Sequence, residues 1–362
     1  MNVRRRIITV AIATVLCAFG VAFIVRNGAS AGQLIRGLGS IDIAVAALGL
    51  ACSALAIGNR GLLNRAAHRA VGLEAGVGAM THTAAVGFAA QKMVKSAGAV
   101  GLAVFVRHGR RRGHAAGAVA AACVLTASAS FIALGVLLVA ALIVLAATGA
   151  LTGWWIAAAI AFAVYTLLLT PLAIFVLRSP RAAAWAWRCG QRARRMVPWS
   201  KRRESDDAPF PTELLDAVAS ARSRPDAVRD LLLHAVLSKL LGALALAAAV
   251  TAVGVPVNAG GALVIYATAL AASMLTIIPG GVGTVEASTA ALLIGAGATA
   301  GAAALAVALF RLFDLWVPVL TGAAAARRDL RRERRSSEQV AVSSYTVELA
   351  RIDHWAVPNS HL

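Results

Sequence analysis

Ionisable residues stand beside a chain break inside an otherwise apolar part of this sequence. The stretch Pro279-Gly280-Gly281-Val282-Gly283 interrupts an apolar run that enters from Gly261, and Glu286 follows three positions later. Proline removes a backbone donor and glycine tolerates backbone angles that other residues avoid, so a helix should break here. In hydrocarbon, the freed backbone groups require surrounding protein or a wet cavity. A broken helix beside a carboxylate therefore predicts a transport-type site.

Two further charges, Arg311 and Asp314, fall within the apolar run at residues 302–320. Insertion scales give a cost of about 2.5–3.5 kcal/mol for such a charge at the centre of a lipid-facing helix, so neither side chain should face lipid. Three positions apart, they share one helix face. Two interpretations stay open. The pair neutralises itself locally, or Arg311 faces a cavity, is held by Asp314 or Glu286, and binds an anionic headgroup.

A second interruption, at residues 94–98, follows a weak, glycine-rich apolar run at 71–90. The apolar piece at 99–106 rises only about 12 Å as a helix, too little to cross the bilayer core. It is therefore a half-helix or the end of a broken one. Basic residues flank this break, either as interfacial side chains that extend to the headgroups or as a cationic rim for a phosphate: Lys92, Lys95 and Arg107.

The composition is typical of an integral membrane protein. The 362 residues are 59% hydrophobic and only 14% charged, with a mean hydropathy of +0.76. Several apolar runs reach the roughly 18–20 residues that span a bilayer. The net charge of +19 comes from arginine clusters beside these runs. This pattern indicates an anionic inner leaflet as the electrostatic partner and argues against nucleic acid.

The same clusters predict the topology, because basic flanks favour the cytoplasmic side. They place residues 60–69, 107–112, 178–203 and 327–335 inside. We expect a multi-pass plasma-membrane protein with both termini cytoplasmic. A polytopic membrane domain should cover residues 1–322 with a basic cytoplasmic loop at 178–230, and a basic, partly disordered tail should cover 323–362. The predicted spans include a retained first span at 7–25, then 41–57, 115–147, 154–177, 231–253 and 302–320.

Two units, about residues 71–147 and 260–320, show the same order of features. A weak or glycine-rich span meets a break, a short apolar piece follows, a glycine closes it, and a long helix rich in small residues begins. The basic flanks put the closing Gly113 inside and the closing Gly297 outside. The sequence therefore predicts an all-α polytopic fold with two inverted repeats that contain broken or re-entrant helices, and a site near the membrane midplane.

Motifs of enzymes and metal sites are absent from the sequence. It contains no phosphate-binding loop, no HExxH motif and no nucleophile elbow. The four cysteines lack metal-like spacing. We expect no enzymatic activity, no metal and no cofactor.

The motif Pro279–Glu286, followed by Arg311-Leu312-Phe313-Asp314-Leu315-Trp316-Val317-Pro318 and Gly322, resembles the transmembrane region of lysylphosphatidylglycerol synthases and their stand-alone flippase-like relatives. The resemblance is strong over residues 261–322 and weak over 59–138. It implies an all-helical membrane domain that translocates lipids or lipid-linked precursors. It does not extend to the soluble aminoacyl-transfer domain, so lysyl transfer is not expected. The motif match carries over these residues as the core of the site: Pro279, Gly280, Gly281, Gly283, Glu286 and Arg311.

These observations lead to the hypothesis of a flippase-like transporter whose substrate is a membrane lipid with an anionic or polyprenyl-linked headgroup. Alternatives are a scaffold that acts through the basic cytoplasmic loop, and a small-solute or ion transporter with Glu74 and His82 in a proton relay. The candidate substrate-binding residues are Pro279, Gly280, Gly281, Gly283, Glu286, Arg311, Asp314, Lys95 and Arg107.

Overall fold

The computed structural model describes residues 38–94, 98–149, 210–276 and 278–331, together with 153, 156 and 160. Over these residues the chain is helical and contains no strand, which confirms the predicted all-α class. The predicted span at 7–25, and the one at 154–177 apart from residues 156 and 160, lie outside the described residues. The helices are α1 Ile43–Ala70, α2 Val77–Met93, α3 Ala99–Arg110, α4 Ala116–Ala147, α5 Phe210–Arg222, α6 Pro225–Ala252, α7 Ala259–Leu275, α8 Thr284–Gly295 and α9 Ala300–Arg331.

Four of the described helices, α1, α4, α6 and α9, are long and apolar enough to cross a bilayer. The helix order α1–α4 repeats as α6–α9, and the paired helices have equal lengths. α1 and α6 have 28 residues, α2 and α7 have 17, α3 and α8 have 12, and α4 and α9 have 32. Glycines with positive φ occupy matching turns: Gly72 and Gly254, Gly98 and Gly283, Gly113 and Gly297. The repetition thus also includes α1 and α6, although an inverted orientation of the two sets stays a prediction.

α1 and α6 are antiparallel neighbours. Near one end, the backbone N–H of Asp42 donates to the carbonyl of Ala252 at 2.9 Å. Farther along, the side-chain amide of Asn59 donates to the carbonyl of His234 at 2.8 Å. The residue numbers rise on α1 while they fall on α6, so the first helices of the two sets point in opposite directions.

The second helix of each set, α2 or α7, packs against the long last helix of the other set. A Cβ atom added at Gly322 of α9 would overlap the carbonyl of Ala85 in α2. One added at Gly260 of α7 would lie 3.1 Å from the carbonyl of Ala141 in α4. Small residues let membrane helices approach this closely. The two halves are therefore interlocked rather than placed side by side.

A π turn, Leu312–Trp316, interrupts α9 directly after Arg311. Such a turn frees a backbone carbonyl from the regular ladder. Here the hydroxyl of Ser53 in α1 donates to the carbonyl of Phe313 at 2.6 Å. One turn earlier on α1, Gly49 leaves room for the Phe313 ring, which would lie 2.5 Å from an added Cβ. α1 thus supplies both the donor and the space that the π turn requires.

One predicted boundary is wrong. Residues 59–69, expected as a cytoplasmic loop, are helical because α1 continues to Ala70. The loop was inferred from arginines, whereas the first positive-φ glycine that ends the helix is Gly72. Residues 323–331 continue α9, and their assignment to a cytoplasmic tail stays a prediction. Charge alone does not end a helix, and both segments lack a proline.

Candidate functional site

A cavity of about 910 Å³ lies between the two halves of the helix repeat. Its lining comes from α1–α4 on one side and from α6, α7, the second break and α9 on the other. This volume falls within the range of about 300–1,000 Å³ typical of ligand sites. Much of the wall is apolar, with small residues from α4 and these larger side chains: Leu102, Phe105, Leu270 and Phe310.

Three basic side chains and one carboxylate line this cavity among the described residues: Arg60, Lys92, Lys239 and Asp314. Lys92 donates to Asp314 at 2.9 Å, which joins the end of α2 to the π turn of α9. The guanidinium of Arg60 stacks over the Phe88 ring, 3.5 Å from its centroid. Among the described residues, neither Arg60 nor Lys239 lies within ion-pair distance of a carboxylate. The lining therefore carries excess positive charge.

Arg60 and Lys239 lie deep along their helices. Arg224, one residue before α6, donates to the carbonyl of Arg69, so the end of α1 and the start of α6 are adjacent. From that shared end, Arg60 lies about 15 Å along α1 and Lys239 about 21 Å along α6, at 1.5 Å per residue. The hydrocarbon core is about 30 Å thick, whereas a helix of this length measures about 42 Å. In helices centred in the bilayer, both cations would lie at apolar depth, where charged residues mark substrate paths.

The second break is organised around the buried side chain of Arg311, of which only 5% is exposed. Its Nη2 donates to the carbonyl of Gly280 at 2.7 Å, and its Nε lies 2.7 Å from Oε1 of Glu286. The other oxygen of Glu286 accepts from the backbone N–H of Gly283 at 2.7 Å. Gly283 caps α8, where a carboxylate also opposes the helix dipole favourably. Arg311 and Glu286 thus hold the broken backbone in place.

The structure brings most of the predicted site residues together at this break. Pro279 starts a short 3-10 turn, Pro279–Gly281, and is itself exposed. Gly280, Gly281 and Asp314 line the cavity, whereas Arg311 and Glu286 lie behind its wall. Arg311 comes only within 4.0 Å of Asp314, whose closer partner is Lys92. The contact with Glu286 agrees with one part of the second interpretation, in which Glu286 holds Arg311. Arg311 is not among the residues that line the cavity, and its binding of a headgroup stays a prediction.

The two candidates beside the first break are placed differently. Arg107 is exposed in the last turn of α3 and does not line the cavity. Lys95 lies outside the described residues. Lys92, the third basic residue of that flank, is the one that reaches the cavity. His82, considered for a proton relay, lies 3.4 Å from Asp329 near the end of α9.

Sequence reasoning did not select Arg60 or Lys239 for the site. Arg60 was assigned to a cytoplasmic loop, and a lysine near a span end is expected to extend to the headgroups. A usable signal was nevertheless present, because no proline stands between Arg60 and Ala70 to end the helix.

The chain matches the family described as lysylphosphatidylglycerol synthase TM region over residues 6–322. The matched range contains every residue that lines the cavity and both helix sets, except for the last nine residues of α9. No curated protein matches the chain.

Proposed function

Because this chain belongs to the family of lysylphosphatidylglycerol synthase transmembrane regions, we propose that it moves an anionic lipid or lipid-linked precursor between the leaflets of the plasma membrane. The observation that carries the proposal is the cavity shared by both helix sets, lined by three cations and one carboxylate. Within the bilayer, a cationic cavity provides an anionic headgroup with compensating charge and polar partners, which hydrocarbon lacks.

The polar and apolar parts of the lipid lie in different surroundings. The headgroup occupies the cavity, while the acyl or prenyl chains remain among the lipids that surround the apolar outer faces of the long helices. No bond is made or broken, so the protein needs neither a nucleophile nor a metal. Its task is to lower the cost of moving a charge across the hydrocarbon layer.

The repeated helix order supports an alternating-access cycle. In inverted-repeat transporters, one set rocks against the other around a fixed site near the midplane. The antiparallel α1 and α6 form the centre of such an arrangement. The Lys92–Asp314 contact, at 2.9 Å, is an ionic tie between the halves that can open and close as they move.

Orientation and partners are part of the proposal. The end shared by α1 and α6 carries arginines that include Arg69 and Arg224. By the positive-inside rule this end faces the cytoplasm, which puts both termini inside and sets the basic segments against the anionic inner leaflet.

A vesicle assay tests the proposal. The full chain is reconstituted in liposomes with phosphatidic acid that carries a fluorescent label on one acyl chain, and inward-to-outward movement is followed by dithionite quenching. Ser128→Trp should fill the cavity from α4 and slow the movement several-fold. Ile143→Trp is the matched control, because Ile143 is 64% exposed on the same helix. Movement no faster than in protein-free vesicles, or an unaffected Ser128→Trp variant, would refute the proposal.

A further inference from the structure

We infer that Arg60 and Lys239 form a binding site for a dianionic phosphate group, a phosphomonoester or a diphosphate, inside the cavity. The inference rests on the proposed function and narrows its substrate class. It selects headgroups with two negative charges over phosphodiester headgroups with one.

The charge inventory of the cavity leads to this site. Three cations and one carboxylate line it among the described residues. The Lys92–Asp314 contact at 2.9 Å neutralises one cation. Two positive charges remain, on Arg60 and Lys239, and the described residues place no carboxylate within ion-pair distance of either. Uncompensated buried charge is strongly unfavourable, so an arriving anion is bound tightly.

Hydrogen-bonding capacity points the same way. The Nη1 atom of Arg60 is buried and has no hydrogen-bond partner. Its neighbour across the guanidinium plane is the Phe88 ring, which accepts no conventional hydrogen bond there. A buried N–H without an acceptor is costly, and a phosphate oxygen removes that cost. Arginine presents a fork that matches two phosphate oxygens, while lysine adds a point charge.

The backbone places the two cations within reach of one group. Asn59, directly before Arg60, contacts His234 on α6 at 2.8 Å. Lys239 lies about 7.5 Å farther along α6 than His234, at 1.5 Å per residue. Both side chains are long and line the same cavity. The hydroxyls of Ser238 and Tyr266 line it too and can donate to the remaining phosphate oxygens.

Two lipids that differ by one methyl group separate the charge states. Phosphatidic acid and phosphatidylmethanol carry the same acyl chains, but only the first is a phosphomonoester. At pH 7.5, about one and a half units above a second phosphate pKa of about 6, its free monoester is mostly a dianion. Binding of each lipid to the full chain in detergent is measured by microscale thermophoresis. We expect phosphatidic acid to bind at least about tenfold more tightly, because one tenfold step corresponds to about 1.4 kcal/mol.

Variants locate the site. Lys239→Met and Arg60→Met should each reduce the preference for phosphatidic acid to less than about threefold. Each variant leaves one cation in the cavity, where two cations together support the tenfold preference. Arg328→Met, which removes an exposed arginine from α9, should leave the preference intact. Equal binding of both lipids by the wild-type chain would overturn the inference without any variant. A preference that survives in both cavity variants would overturn the assignment to these residues.

Free phosphate and lipid are distinguished by a third arm. Inorganic phosphate and glycerol 3-phosphate should compete with phosphatidic acid, but at least about a hundredfold more weakly, because they lack the chains that partition into lipid. Soluble phosphates that bind as tightly as the lipid would overturn the lipid assignment. If all anionic lipids move between the leaflets at one rate, the proposed function is supported and the dianion site is contradicted. If the chain binds phosphatidic acid selectively but moves no lipid, the dianion site is supported and the proposed function is contradicted.

Discussion

The two helix breaks of this protein are secured in different ways. At the second break, between α7 and α8, a buried arginine from the same helix set clamps the backbone through Gly280 and Glu286. At the first break, between α2 and α3, Lys92 instead contacts Asp314 of the opposite set. The side chains of Lys92 and Asp314 are 17% and 21% exposed, compared with 5% for Arg311.

The comparison shows how one helix can serve both breaks. Arg311 and Asp314 are three residues apart on α9, with Arg311 directly before the π turn and Asp314 within it. Arg311 is directed to the second break, and Asp314 to the lysine at the end of α2. One break is closed within its own helix set, by a nearly buried arginine and a glutamate that is 16% exposed. The other is closed by a contact between halves whose two side chains are 17% and 21% exposed. We therefore expect the second break to be the rigid one and the first to be the one that opens during transport.

The largest effect should come from Arg311→Met. It leaves the Glu286 carboxylate and the Gly280 carbonyl without their partner in a buried place. Removing one partner of a buried pair costs about 3–5 kcal/mol. The midpoint of thermal unfolding in detergent should fall sharply, whereas Arg328→Met on the same helix should change it little. Adding Glu286→Leu to Arg311→Met should restore part of the loss. Equal effects of the two arginine variants would show that the clamp is not stabilising.

Substituting alanine for one glycine at each break should have unequal effects on stability. Gly281 has a φ of +68°, and an added Cβ would lie 2.8 Å from Val285 Cγ2. Gly98 has a φ of +88° but nothing within 4 Å of an added Cβ. Strain alone costs about 1–2 kcal/mol, and overpacking adds about 1–3 kcal/mol. Gly281→Ala should therefore destabilise the protein more than Gly98→Ala in the same unfolding measurement. The reverse order would mean that the first break is the more tightly packed.

A smaller effect is expected at the contact between halves. Because Lys92 and Asp314 are partly exposed, Lys92→Met should cost about 1–2 kcal/mol, between the values for surface and buried pairs. A double-mutant cycle with Asp314→Asn measures their coupling, and the exchanged pair Lys92→Asp with Asp314→Lys should recover part of it. If the stability losses of the two single variants add up to that of the double variant, Lys92 and Asp314 do not stabilise each other.

The smallest expected effect concerns the π turn itself. Ser53→Ala removes the donor to the Phe313 carbonyl, and the loss of one such hydrogen bond costs about 1 kcal/mol. Thr321→Ala is the control, because its hydroxyl bonds only within α9. Unfolding midpoints that shift equally in the two variants would show that α1 does not stabilise the turn.

The second break could be predicted well from sequence, and the first only in outline. Pro279 and its glycines predict a break by local rules, and the structure places one there. Gly98 likewise starts the short α3. The partners of Lys92 and Arg311 could not be predicted. Lys92 and Asp314 are 222 residues apart in the chain, and their meeting depends on how α2 packs against α9.

What the sequence by itself determined is local: the apolar lengths, the breaks, and the fact that charges stand at bilayer depth. Each follows from backbone geometry or from the cost of placing a charge in hydrocarbon. Only the tertiary structure decided which cations face the cavity. That choice depends on helix rotation, on the π turn in α9 and on the antiparallel contact of α1 with α6. Arg311 was thereby placed behind the wall and Arg60 within it, because long-range packing sets the direction of a side chain that local rules leave open.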